Sequence, residues 1–319
     1  MKPFITIAFC IVALAATAQQ HRFLPKWKVG ETKTITYTES EKEYINDELK
    51  SDTSSSRTAT IKVINDNKDS YSLEYTQENV ALTSLMELYD KLGDEVPEFQ
   101  NMKLIYQVNK TTGKTELKNW KEARDFLLGS YEKMEKILED KVPDMAPMAN
   151  LLFMPIKSAY KDKETIEEEM EKNIQFLTLP FQSEFTIGEA ITSVDSAANP
   201  FNASTMISVS TTVKLDSFDQ AGQIAMFSQN IDMDLSQFVN MIKDMMMKMA
   251  SSMGVEDSLM EKKKQEIDAM DMSMTNSNAI TYDDKTTWTK QSIATVEIKG
   301  MDPRKGQTRK VVTITALVE

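Results

Sequence analysis

The sequence predicts an α+β fold. Two related halves of curved antiparallel sheet, half-open and barrel-like, are expected to be covered by amphipathic helices. Three observations carry that expectation. Several segments alternate apolar and polar residues with the period of a strand, as in Tyr71, Leu73 and Tyr75. Others repeat apolar residues every three or four positions, as a helix does. Short motifs also recur in the same order along the chain. Trp27-Lys28-Val29-Gly30-Glu31 returns as Phe185-Thr186-Ile187-Gly188-Glu189, 158 residues later. Ile61-Lys62-Val63 matches Val213-Lys214-Leu215, and Tyr75-Thr76-Gln77 matches Phe227-Ser228-Gln229, both at 152. Tyr106 matches Tyr282, and Lys110-Thr111-Thr112 matches Lys285-Thr286-Thr287. Fixed-order self-similarity is the mark of a repeated unit.

The N-terminal segment comes first. Lys2 is a basic start, Phe4 to Leu14 is an apolar run, and Ala16-Thr17-Ala18 is an A-x-A cleavage site. This reads as a signal peptide over residues 1–18. The mature protein is expected in the periplasm or outside the cell. Cys10 is the only cysteine and lies inside that run, so the mature chain has no disulfide, thiolate ligand or cysteine nucleophile. Its position within the run does not fit a lipid-anchor signal. No later stretch is apolar and long enough to span a membrane as a helix. The formal charge of −12 argues against nucleic acid and anionic membrane surfaces as partners.

The first half, 19–183, starts with strand composition over Thr32 to Tyr44. Ser51 to Ser56 reads as a polar hairpin tip. Arg57 to Ile64 and Ser70 to Gln77 read as a strand pair around Asn65-Asp66-Asn67-Lys68-Asp69, residues that tolerate turn geometry. Ser84 to Leu92 reads as a short helix ended by Gly93. Lys103 to Asn109 is a strand that turns through Thr111-Thr112-Gly113-Lys114. Asn119 with Glu122 has capping-box spacing. From Trp120, the residues Ala123, Leu127, Met134 and Leu138 define an amphipathic helix that Pro143 stops. Met145 to Met154 reads as an apolar connector, and Glu164 to Leu177 as an acidic helix.

The second half, 184–319, repeats the strands at Glu184 to Ser193, Thr205 to Ser217 and Gln223 to Met233. A methionine-rich helical insertion is expected over 235–272. Final strands are expected at Ala279 to Thr287, Ile293 to Lys299 and Lys310 to Val318. A strand at the chain end is expected to be paired inside the sheet.

These features resemble a family of exported proteins of Bacteroidetes-type bacteria that has no assigned function. The likeness rests on Lys26 to Glu31, on the strand followed by Thr112-Gly113-Lys114 and a helix, and on the second Gly-Glu at Gly188. It implies no functional residues. The layout also resembles, at the level of fold only, the half-open barrels of periplasmic lipoprotein and lipid carriers.

The chemistry on offer is limited. Met241, Met245, Met246, Met247, Met249 and Met253 fall close together, and Ile242, Met245, Met246, Met249 and Met253 share one helical face. Three uses compete. Methionine fills cores adaptably. It also forms mobile apolar surfaces that bind greasy ligands or partners, and several thioethers can hold a soft metal. His21 is the only histidine and reads as a solvated terminal residue. Without His or Cys, a Ser-His-Asp triad or a zinc site is hard to build. There is no G-x-S-x-G and no phosphate-cradling glycine loop. Paired carboxylates such as Asp232 and Asp234, or Glu167, Glu168 and Glu169, would suit a hydrolase, but their positions suit a helix start and a solvated helix face. Asp283-Asp284 reads as a turn. No catalytic residue, metal or cofactor is expected.

The sequence therefore points to a binding or carrier protein for an apolar ligand or lipidated partner. Ile242, Met245, Met246, Met249 and Met253 are its candidate ligand-binding residues. A structural or interaction protein without a cavity is the alternative, and a carboxylate hydrolase the weaker one.

Overall fold

The computed structural model describes residues 20–77, 102–141, 153–154, 157–158, 160–199, 202–233, 239–240, 243, 272–302 and 306–319. The expected signal peptide, the helix at Ser84 to Leu92 and nearly all of the methionine segment lie outside them.

The fold departs from the predicted α+β class. Strands take 60% of the described residues and helices 20%, so the protein is mostly β. Eleven strands form one antiparallel sheet in the order β6-β5-β4-β3-β2-β13-β12-β11-β10-β9-β8. These are β2 (Thr32–Ile45), β3 (Glu48–Asp66), β4 (Ser70–Gln77), β5 (Met102–Asn109), β6 (Thr115–Leu117), β8 (Ala190–Asn199), β9 (Asn202–Asp219), β10 (Ile224–Met233), β11 (Met272–Asp283), β12 (Trp288–Asp302) and β13 (Gly306–Val318). A separate pair joins β1 (Gln20–His21) to β7 (Phe185–Thr186). The large sheet is not a closed barrel, and the helices are too few to cover it. Propensity and local period set the helix expectation, but long cross-strand pairing took up more of the chain than local pattern reveals.

Every neighbour in the sheet is also a neighbour in sequence, except at β2–β13. There the last strand lies between β12 and β2, with Ala316 opposite Tyr37. Glu319 and Thr34 exchange backbone hydrogen bonds of 2.9 and 3.1 Å. The C-terminal strand is thus paired on both sides, as its position predicted.

The β2–β3 hairpin corrects the sequence reading. Its tip is Asn46-Asp47, both at positive φ (50° and 62°). Asn and Asp tolerate that region, and two such residues match the twist of the flanking strands. Ser51 to Ser56, expected at the tip, belongs to β3, with Ser51 opposite Glu43. A serine run is polar, but the backbone is extended and one residue per strand position pairs normally.

Local geometry recurs between the two ends of the chain. Gly30 and Gly188 both have positive φ, 88° and 82°. Their amides donate to Val63 and Leu215 carbonyls, each at 2.8 Å. The pairings Thr32–Lys62 and Ala190–Lys214 stand in the same relation to those glycines. Val63 then faces Leu73 and Leu215 faces Phe227. Leu73, not Tyr75, therefore corresponds to Phe227. The stretch from Leu215 to Phe227 is two residues longer than that from Val63 to Leu73, and that moves the match. Asn109 Oδ1 accepts the amides of Thr111 and Thr112, and Asp283 Oδ1 accepts those of Lys285 and Thr286. The positive-φ positions closing these turns are Gly113 and Thr287.

Helix α1 (Trp120–Lys141) buries Ala123 and Leu127. Helix α2 (Lys163–Glu171) starts at Asp162, whose carboxylate accepts the Thr165 amide at 3.2 Å, an N-cap. It buries Ile166 and Met170. Helix α3 (Gln175–Thr178) and a 3-10 turn (Leu179–Phe181) follow, and their apolar residues are almost fully buried. These short elements lie on one end of the sheet, tied by Tyr37 to the Asn173 carbonyl (3.4 Å), Tyr106 to that of Met170 (2.5 Å) and Thr289 to that of Phe176 (2.9 Å). The core sits there, around Tyr75, Tyr106, Tyr282, Phe181, Phe185 and Phe227.

Candidate functional site

The residues before β2 lock that core. Trp27 stacks on Trp288 with centroids 4.8 Å apart and planes 26° apart. Trp27 Nε1 donates to the Thr287 carbonyl at 2.9 Å, and Trp288 Nε1 to Glu31 Oε1 at 2.8 Å. A buried indole N–H needs such a partner. Phe23 packs edge-on against Phe227 and Tyr282. His21 is buried rather than solvated. It pairs with Phe185 in β1–β7, and its ring lies 4.9 Å from that of Phe218. Neighbouring polar residues hid this, because the segment is held by long-range contacts. The arrangement is structural: both indole N–H groups are spent on the fold.

A cleft of about 540 Å³ opens beside β4, β5, β6 and α2, lined among others by Asp69, Gln107, Thr115, Glu116, Lys163 and Glu167. Its polar groups largely serve one another. Gln107 donates to Ser70 Oγ at 2.7 Å, and Thr115 to Glu171 at 2.5 Å. Lys163 lies 3.5 Å from Glu167 and 4.0 Å from Glu116, which also meets Lys118 at 3.1 Å. Neighbouring Glu168 has its carboxyl pushed up by burial and by the charges of Glu164 and Asp195. These carboxylates belong to a mixed ionic surface of paired lysines and glutamates.

The other carboxylates of the sequence reading are placed as follows. Asp283 closes a turn. Burial alone would raise its carboxyl, but the amides of Lys285 and Thr286 and the Lys290 ammonium 3.2 Å away hold it below the ordinary range. Asp232 is a strand residue opposite Thr275 in β10–β11, not part of a helix start, and Asp234 lies outside the described residues. No group of three or more His, Cys, Asp or Glu able to hold a metal occurs among the described residues.

The expected ligand-binding residues Ile242, Met245, Met246, Met249 and Met253 lie outside the described residues. What the structure places is a different apolar surface, on the core side of the sheet beyond the aromatic end. Ala294, Val296 and Ile298 of β12 share that side with Ile314 and Val312 of β13 and Met274 of β11, and all six are half-buried. Ala294 faces Ile314, Val296 faces Val312 and Ile298 faces Met274. The strip has polar margins. On β2, Glu39 and Glu41 stand opposite Ile314 and Val312, paired with Arg57 at 3.7 Å and Lys310 at 2.7 Å. On β11, Asn278 and Asn276 stand opposite Ala294 and Val296. The alternation Ala294, Val296, Ile298 was readable in the sequence. Its neighbours across the sheet were not.

No helix among the described residues is long and apolar enough to cross a membrane. No protein family matches this chain, and no curated protein does.

Proposed function

We propose that this is an exported, non-enzymatic binding or carrier protein whose ligand is apolar, either a lipid or the acyl chain of a lipidated partner. The apolar strip of Ala294, Val296, Ile298, Val312, Ile314 and Met274 carries the reading. Apolar side chains gathered on one side of a sheet and rimmed by charge and amide groups are what a hydrophobic contact site needs. The methionine face Ile242, Met245, Met246, Met249 and Met253 is the proposed second contact, on the sequence pattern alone. The ion-paired cleft and the spent carboxylates favour binding over catalysis. Export rests on residues 1–18. The recurring geometry at Gly30 and Gly188 supports the reading of two related halves.

Titration with an environment-sensitive apolar dye tests this. Val312→Asp puts an unpaired carboxylate into the strip, where it is strongly disfavoured. Saturable dye binding is expected to fall at least about tenfold, the equivalent of about 1.4 kcal/mol. Val311→Asp, on the opposite side of the same strand, is expected to leave it unchanged. Equal binding by both variants, each folded by circular dichroism, contradicts the proposal.

A further inference from the structure

A seam of side-chain amides borders the apolar strip on β10 and β11. Gln229 is 4% exposed and stands opposite Asn278, and Asn276 follows Asn278 on the same side of β11. Asn278 in turn faces Ala294 of the strip, and Asn276 faces Val296. On the far side, Val213 of β9 faces Gln229 and Ile231 of β10 faces Asn276. Apolar residues therefore flank the amides on both sides.

Much of the hydrogen-bonding capacity of this seam is unused. Ser292 is 5% exposed and its hydroxyl donates to Asn278 Oδ1 at 2.8 Å. That bond orients the Asn278 amide, engaging its oxygen and leaving its N–H groups as donors. Among the described residues, no side-chain hydrogen bond engages the amides of Gln229 or Asn276, although Gln229 and Asn278 face each other. Each of those amides keeps both donors and an acceptor. A buried amide without a partner is costly, so a ligand that serves it gains by doing so.

The surroundings select that ligand. From Phe227 to Met233 on β10, Met274 to Ile280 on β11 and Ser292 to Ile298 on β12, every residue on this side is uncharged. A carboxylate or phosphate brought here would give up its water without meeting a cation. A plain hydrocarbon would leave the amides unserved. A secondary amide joined to a long acyl chain meets both demands, since its carbonyl accepts and its N–H donates.

We propose that the strip takes an N-acyl chain, with Asn278 donating to the acyl carbonyl, Gln229 accepting from the amide N–H, and the chain lying along Val296 and Ile298. This rests on the apolar-ligand reading above and adds the group that joins the chain to the rest of the ligand.

Displacement of a bound apolar dye by three probes of equal chain length tests it. They are N-(2-hydroxyethyl)palmitamide, the ester 2-hydroxyethyl palmitate and the ether 2-(hexadecyloxy)ethanol. The amide is expected to bind at least about tenfold tighter than the ether, with the ester between them. Gln229→Met and Asn278→Leu are each expected to erase most of that preference while the ether still binds. Because Gln229 loses only an unserved amide, Gln229→Met should keep the thermal midpoint at or above wild type. Should that buried variant fail to fold, Asn278→Leu at a half-buried position carries the test alone. Equal binding of amide and ether by the wild type, with both lost in Val312→Asp, overturns this proposal and leaves the apolar-ligand reading standing. A preference that survives Asn278→Leu, or palmitate binding tighter than the amide, also overturns it. Failure of all probes to bind overturns both. Competition between an N-palmitoyl dipeptide amide and a ceramide then separates a lipidated polypeptide from an amide-linked lipid as the source, and tighter binding of either than of the ether supports the proposal.

Discussion

Gly30 and Gly188 hold the same backbone conformation at the same point of two strand pairs, with φ of 88° and 82° and amides 2.8 Å from the carbonyls of Val63 and Leu215. A Cβ added at either would meet nothing within 4 Å. The cost of alanine is then purely conformational, roughly 1–2 kcal/mol for an L-residue in the left-handed region. Gly30→Ala and Gly188→Ala are expected to destabilise by similar amounts in urea unfolding. Gly113 also has positive φ, but its added Cβ would lie 2.8 Å from Cβ of Phe181. Gly113→Ala adds overpacking to strain and is expected to cost on the order of 3 kcal/mol. Three equal losses would show that space around the glycine is irrelevant.

The Trp27–Trp288 stack closes the aromatic end of the core, with both rings 2% exposed. Trp27→Ala is expected to cost about 3–5 kcal/mol, the range for large aromatic truncations. It also orphans the Thr287 carbonyl that the indole now serves. Near-ultraviolet circular dichroism should lose the signal of the coupled pair in Trp27→Phe as in Trp288→Phe, leaving only that of Trp120. A spectrum that drops by only one ring's share would mean the rings do not couple.

Asn119 replaces backbone at the β5 edge. Asn119→Ala leaves the Ile105 amide and Lys103 carbonyl without their partner, at an expected cost of about 1–3 kcal/mol. It also reopens an edge for strand addition. Light scattering during storage should then rise above wild type. Unchanged unfolding and scattering would assign Asn119 to the helix start alone.

Much of the fold was legible where structure is local. The turn at Asn65 to Asp69, the turn through Thr111-Thr112-Gly113 and the helix from Trp120 follow from residues that prefer those conformations. The Asn119-Glu122 spacing promised a capping box, yet the Asn119 amide serves strand β5, since a local signal cannot register a partner sixteen residues back. Ser51 to Ser56 misled because serine reads as turn-like, while Asn46-Asp47 carried the actual turn. The β2–β13 pairing links Tyr37 to Ala316, a separation at which sequence period says nothing. The half-buried strip was legible strand by strand, but only the register assembles it. His21 and Trp27 were missed as core residues for the same reason.

Burial, then the neighbouring Glu164 and Asp195, raises the Glu168 carboxyl, against the opposing pull of Lys172. The native state then binds this proton more readily than the unfolded chain. Stability linked to Glu168 is present in acid and is lost as pH rises above the ordinary glutamate range, about 4.3. Glu168→Gln is expected to raise the thermal midpoint at pH 7 and to leave it unchanged at pH 4. Solvent screening keeps the gain under about 1 kcal/mol. A larger gain at pH 4 than at pH 7 would reverse the sign argued here.

Mass spectrometry of the protein, purified without detergent, tests the central proposal most directly. If the strip around Val296 and Val312 holds an apolar ligand, a lipid or acyl-bearing molecule should co-purify in near-stoichiometric amount. It should be lost from Val312→Asp and kept by Val311→Asp. Protein that emerges free of such molecules, and takes up none when incubated with lipid vesicles, would contradict the proposal.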